Sequence, residues 1–173
     1  MASYYYLIAS LPNLSADGEL PITYGEFLNC CESNVSESDY ELLENLTLSS
    51  TEGPLVEEWA RVYGMIQKEM NYQRSMNLGK SYPSVYEKDS GVSQVVAAAL
   101  SAKNPLEAER LLLDYEFENL DLLVGSHVFD AHVLFGYAIK LKLLERLNSF
   151  EQTKGKAEFQ SLFDGIQQRV YSL

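Results

Sequence analysis

The chain has 173 residues, and its 46% hydrophobic and 22% charged content is typical of a globular domain rather than a disordered one. Its formal net charge of −12 disfavours nucleic-acid binding, because phosphate neutralisation needs a basic face. The charge is unevenly placed, since residues 1–60 hold eleven Asp and Glu but no Lys or Arg. This acidic part could steer a basic partner, or it could serve only as a solubility face.

Neither secretion nor membrane insertion is indicated. The residues up to Pro12 lack the positive segment and the cleavage site of a signal peptide. The longest apolar stretch, 128–147, is interrupted by charged and histidine side chains, so it is too polar to span a bilayer. We therefore expect a cytoplasmic protein.

The first third of the chain predicts short elements. Residues 3–11 (SYYYLIASL) suit either a buried strand or the first turns of a helix, and both remain open. Thr23 and Glu26 have capping-box spacing, which predicts a helix through about Glu32. A second box that starts at Ser38 predicts another helix.

Longer helices are predicted from Gly53-Pro54 onward. Proline at a first helical position is a start signal, and the helix should run to about Asn77, before Gly79 stops it. Its apolar stripe consists of Leu55, Trp59, Val62, Ile66 and Met70. The connection over 80–91 is the best candidate for an internal boundary.

The second half reads as helices throughout. A small-residue helix is predicted over 92–103, and Asn104-Pro105 with Glu107 marks the start of the next. Residues 128–150 are apolar on most faces, which is typical of a central helix. A final helix should carry Phe159, Leu162, Phe163, Ile166 and Val170. We predict a mainly α fold, a bundle of about six helices in one domain over 1–173. A short N-terminal strand remains an alternative for the first segment.

No catalytic or nucleotide motif is complete. Gly79-Lys80-Ser81 matches only the tail of a P-loop, because Arg74 stands where the first glycine is required. Residues 91–95 (GVSQV) lack the last glycine of a nucleophile elbow. We predict no catalytic residue and no cofactor.

His127, Asp130 and His132 are close enough in sequence to suggest metal ligation. If all three were helical, the histidines would be five residues apart and on different faces, whereas metal-binding pairs prefer a spacing of four. A structural role for His132 is therefore favoured, and we predict no metal site.

Cys30 and Cys31 are adjacent, a spacing that disfavours a disulfide between them. Two reduced thiols, at least one of them buried, are the favoured reading. A nucleophilic cysteine paired with a distant histidine is a weaker alternative, because the chain has only two histidines.

Interaction surfaces are indicated by tyrosines and by one basic run. The chain has 12 Tyr, a residue enriched at interfaces although common in cores as well. The KLKLLER run is expected to place its cations on the polar surface of the central helix. The residues predicted to make contacts are Tyr4, Tyr5, Tyr6, Lys140, Lys142 and Arg146.

Three segments carry a family resemblance: MASYYYLIASLPNL, NPLEAERLLLDYEFENL and FDAHVLFGYAIKLKLLERLNSF. Together they resemble a bacterial family of unknown function whose members are encoded among V-type ATPase genes. GYAIKLKLLERL is also similar to helices of the V-type ATPase C/d subunit, an all-helical funnel that couples the rotor stalk to the membrane ring. That subunit is about twice this length, so the chain would match part of it.

The resemblance implies a non-catalytic accessory or assembly subunit of a V-type ATPase. Its partners would be stalk or peripheral subunits, with no nucleic acid, and it would reach the inner membrane only through the complex. The alternative function is a helical domain that binds a small ligand in a tyrosine-lined pocket.

Overall fold

The computed structural model describes residues 4–82 and 88–149. These ranges contain seven helices and no strand, which confirms the mainly α prediction. The helices are α1 (Tyr5–Ser10), α2 (Tyr24–Cys31), α3 (Glu37–Glu44), α4 (Val56–Asn77), α5 (Ser90–Leu100), α6 (Pro105–Val124) and α7 (Ala131–Asn148). The first segment, left open between strand and helix, is helical. The final helix predicted after residue 155 lies outside the described residues.

Two helix starts form as predicted because their caps are local. Thr23 accepts a hydrogen bond from the Glu26 N–H, and the Glu26 carboxylate accepts one from the Thr23 N–H at 2.8 Å. Asn104 accepts from the Glu107 N–H at 2.9 Å, with Pro105 at the first helical position. Each bond satisfies a donor that the helix itself leaves unpaired.

Two other starts differ from the prediction. Helix α3 begins two residues early, because Ser36 rather than Ser38 accepts the capping bond from the Asp39 N–H, at 3.2 Å. Helix α4 begins after Leu55 rather than at Pro54. Leu55 has a φ of 65°, a left-handed conformation that a helix cannot continue through.

The larger core is organised around α7, as the apolar character of that segment predicts. Helix α7 packs against α6 on one side and against α2 and α3 on the other. Its buried residues are Leu134, Phe135, Gly136, Ala138, Ile139, Leu141, Leu143 and Leu144. Neither α7 nor any other helix in the described ranges is long and apolar enough to cross a membrane.

A smaller core lies between α4, α5 and α6. Helix α5 contacts both neighbours and buries small side chains against Ile66 of α4 and Leu112 of α6. The predicted stripe of α4 passes from one core to the other, since Trp59 belongs to the larger cluster and Ile66 to the smaller. One helix thus ties both cores together.

Candidate interaction surface

An exposed aromatic ridge lies where α1 meets the connection before α7. We define it as Tyr5, Tyr6, Val128 and Phe129. Tyr6 is 87% exposed, Val128 65% and Tyr5 51%. The Tyr5 ring lies edge-on to Tyr6, with centroids 5.4 Å apart, and to Phe129, with centroids 4.5 Å apart. These contacts make one aromatic surface from two chain segments distant in sequence.

The ridge is held by backbone bonding. The Tyr4 N–H donates to the Phe129 carbonyl oxygen at 2.7 Å, and Phe129 has a left-handed φ of 58°. Tyr4 itself is buried, and its hydroxyl donates to the Asp39 carboxylate. Burial, followed by this hydrogen bond, raises the pKa of Tyr4. Tyr4 therefore anchors the ridge from below, whereas Tyr5 and Tyr6 remain available for contacts.

The two lysines of α7 do not lie on a free polar surface, which corrects the prediction. Lys140 reaches Asp121 of α6, with Nζ 2.6 Å from Oδ1. The Nζ atom of Lys142 lies 3.5 Å from the centre of the Tyr24 ring on α2. Burial lowers the pKa of Lys142, partly offset by the charge of Glu145. Both lysines make contacts within the molecule, because α7 has neighbouring helices on two sides.

Arg146 is also withdrawn from the expected surface. Its guanidinium binds Glu116 and Glu109 of α6, whose side chains are buried. Burial alone would lower the pKa of Arg146, but the bonds and charges of the two carboxylates raise it. Burial raises the pKa of Glu116, against the opposing effect of Arg146. The cluster is a structural brace between α6 and α7 rather than a docking cation.

The adjacent cysteines have different environments. Cys30 is exposed and Cys31 is buried, as expected for at least one of the two. Burial, together with the neighbouring Cys30, raises the pKa of Cys31 to about 12. A thiol that is fully buried and has so high a pKa is a poor nucleophile at neutral pH.

His127, Asp130 and His132 are brought together, contrary to the spacing argument. That argument fails because His127 precedes α7, which begins only at Ala131. The two imidazole rings stack with centroids 4.1 Å apart, and His127 Nδ1 lies 2.5 Å from Asp130 Oδ2. The signal in the sequence was an aspartate that could serve as the N-cap and thereby leave His127 outside the helix.

Two surface grooves formed by the described residues bear on the predicted tyrosine-lined pocket. A groove of about 420 Å³ between α4, α5 and α6 has Met70, Val96 and Leu112 among its lining residues and contains no tyrosine. The lining of a second groove, of about 280 Å³, includes one tyrosine, Tyr137, whose hydroxyl donates to the Pro12 carbonyl oxygen at 3.0 Å. Neither groove gathers tyrosines around a common centre.

Comparison with known proteins identifies no relative. The chain matches no family model, no curated protein and no solved structure. Sequence reasoning selected Tyr5 and Tyr6 but missed Val128 and Phe129. No periodic signal could have found them, because the connection before α7 meets α1 only in the folded chain.

Proposed function

We propose that the chain is a non-catalytic accessory or assembly subunit that acts through protein–protein contacts in a V-type ATPase. The aromatic ridge is the observation that carries the proposal. Large aromatic side chains are common energetic anchors of interfaces, and single scattered apolar residues need no such explanation. Here Tyr5 and Tyr6 stand together at the surface, 51% and 87% exposed.

Contacts within the chain hold part of the ridge in place. Tyr5 is held between two aromatic rings, and the Tyr4 N–H is fixed to the Phe129 carbonyl oxygen. A side chain held in place loses little rotamer freedom on binding, and binding is stronger when that cost is low. The preorganised ridge therefore supports a docking role.

Charge supports a partner with a basic face. Residues 1–60, which include α1, α2 and α3, have eleven acidic residues and no Lys or Arg. Such a field accelerates association with a basic surface and weakens as salt is added. The choice of a V-type ATPase stalk or peripheral subunit as that partner rests on the resemblance of the three segments quoted above.

Affinity capture tests the partner directly. The tagged chain is isolated from the cells that encode it, at low and at high salt, and bound proteins are identified by mass spectrometry. We expect V-type ATPase stalk or peripheral subunits at low salt, with lower recovery at high salt. Capture that never contains an ATPase subunit would contradict the proposed partner.

Matched variants test the surface. Tyr5→Ser with Tyr6→Ser should abolish capture of the ATPase subunits, because the ridge loses both phenol rings. Leu78→Ser is the control, since Leu78 is 71% exposed at the C-terminal end of α4, outside the ridge. Equal capture by the control and the double variant would show that the ridge is not the docking surface.

A further inference from the structure

The most unusual side-chain cluster outside the ridge is formed by His127, Asp130 and His132. One ligand atom from each residue lies within 4.8 Å of the other two. The imidazole rings are almost parallel, with 9° between their planes. Two imidazoles and a carboxylate are a donor set that suits late first-row transition metals.

We propose that these three residues form a binding site for a divalent transition-metal ion such as Zn²⁺. Imidazole nitrogen and carboxylate oxygen both bind Zn²⁺ at about 2.0–2.2 Å, and three protein ligands leave one position for water. The inference is independent of the proposed docking role, because the donor atoms are not part of the aromatic ridge.

The connection between α6 and α7 places the donors. The His127 N–H donates to the Val124 carbonyl oxygen at 3.0 Å, immediately after Gly125 turns the chain with a φ of 54°. Phe129 then adopts its left-handed φ of 58°. This path returns His127 to the first turn of α7, where His132 projects from the second helical position.

Asp130 can bind a metal without giving up its structural role. Its Oδ1 accepts a hydrogen bond from the Val133 N–H at 3.3 Å and caps α7, while Oδ2 faces His127. The metal would take the place of the His127 contact, and the cap would remain. One carboxylate oxygen is therefore available as a ligand.

The site is accessible to an ion from solvent. The His127 side chain is 37% exposed and the Asp130 side chain 16%, so neither donor is sealed in the core. The carboxylate of Asp130 brings a negative charge to the site, which favours a cation. The positive end of the α7 dipole opposes that attraction only partly, because the effect of a helix terminus is modest at exposed positions.

Metal binding requires the ring stack to open. Donors about 2.1 Å from one tetrahedral ion stand about 3.4 Å from each other, whereas His127 Nδ1 and Asp130 Oδ2 are 2.5 Å apart, so these two atoms must separate. Stacked parallel rings also cannot aim their lone pairs at one point. One imidazole must therefore rotate out of the stack, and this rotation gives binding a spectroscopic signature.

Histidine NMR on the whole, metal-free chain tests the site, with Zn²⁺ as the probe. Only two histidines occur, so a protein without a histidine tag gives two sets of imidazole signals. A Cys30→Ser background removes the exposed thiol as a competing ligand. We expect one Zn²⁺ per chain by calorimetry, with both imidazoles shifted together as the stack opens.

Variants distinguish the proposed site from adventitious binding. His127→Ala and His132→Ala should each weaken Zn²⁺ binding at least tenfold. Asp130→Asn should do the same while the folded state persists, because asparagine is as good an N-cap as aspartate. No binding in the micromolar to millimolar range, or binding that persists at full strength in all three variants, would overturn the proposal.

Discussion

Arg146 of α7 binds Glu116 of α6 through two guanidinium nitrogens, and the distance from Nη1 to Oε1 is 3.1 Å. Glu116 is 1% exposed, and the same guanidinium also binds Glu109. Two carboxylates thus depend on one cation in a place that excludes most water. This brace joins the two helices that form the centre of the larger core.

Replacement of Arg146 by methionine should lower the free energy of unfolding by about 3–5 kcal/mol, because buried carboxylates are left without a counter-charge. Urea unfolding at neutral pH measures the loss. The loss should shrink as the pH is lowered, since protonation removes the uncompensated charge.

Arg61→Met is the matched control for that brace. Arg61 and Glu57 also form an ion pair, but their side chains are 70% and 67% exposed. Surface pairs contribute about 0–1 kcal/mol, so this variant should unfold almost as the native chain does. Equal losses of unfolding free energy in the two variants would mean that the Arg146 cluster contributes no more to stability than an exposed ion pair.

Gly136→Ala should destabilise the fold by about 1–3 kcal/mol through overpacking. A Cβ atom there would stand 2.7 Å from Val124 Cγ2 and 3.4 Å from Leu55 Cδ2. Gly64→Ala is the counterpart, because a Cβ at Gly64 meets nothing within 4 Å and lies inside α4. Alanine at that position should stabilise by about 0.5–1 kcal/mol. Thermal unfolding of both variants checks the opposite signs.

Thiol reactivity should separate the two cysteines. Cys30 is exposed, whereas Cys31 is buried with its pKa raised to about 12. A disulfide reagent at neutral pH should therefore modify one thiol per native chain quickly and the second only in denaturant. Cys30→Ser should abolish the fast reaction. Fast modification of that variant would place Cys31 at the surface.

Acid should remove the stabilisation that the Asp130 charge provides. Burial raises the pKa of Asp130, but hydrogen bonds with His127 and the Val133 N–H and the histidine charges outweigh burial and lower it. A carboxyl with a lowered folded pKa stabilises the fold above the unfolded pKa, and the effect is lost as pH falls through the folded pKa.

The metal-free native chain and its Asp130→Asn variant should therefore differ most in unfolding free energy above about pH 4 and converge in stronger acid. Urea unfolding across that range is the measurement. A difference that stayed constant down to the lowest pH would show that the charge of Asp130 is not its source, since asparagine caps the helix as well as aspartate does.

Local signals in the sequence predicted most of the fold. The caps at Thr23 and Asn104 accept hydrogen bonds from N–H groups three residues further on. The sequence motif therefore contains both partners of each bond. The start of α4 was misplaced because Leu55 turns left-handed, and no residue preference marks a leucine for that conformation. Such a backbone is imposed by packing with the rest of the fold.

The functional surfaces were predictable only in part. Of the three tyrosines predicted to make contacts, Tyr5 and Tyr6 are exposed and Tyr4 is buried. The cations predicted at the surface are engaged by neighbouring helices: Lys140, Lys142 and Arg146. Periodicity places a residue on a helix face but does not say which other helix covers it. The predicted docking function itself stays a prediction.

The larger core also determines when the chain can finish folding. Phe27 of α2 packs against Tyr137 of α7, and the Tyr4 N–H donates a hydrogen bond to the Phe129 carbonyl oxygen. A ribosome releases α1, α2 and α3 first, and roughly a hundred more residues, about 5–20 s of synthesis, must follow before α7 is made. During that interval the apolar residues of α2 and α3 that pack against α7 lack this partner. The larger core can therefore close only after α7 has been synthesised.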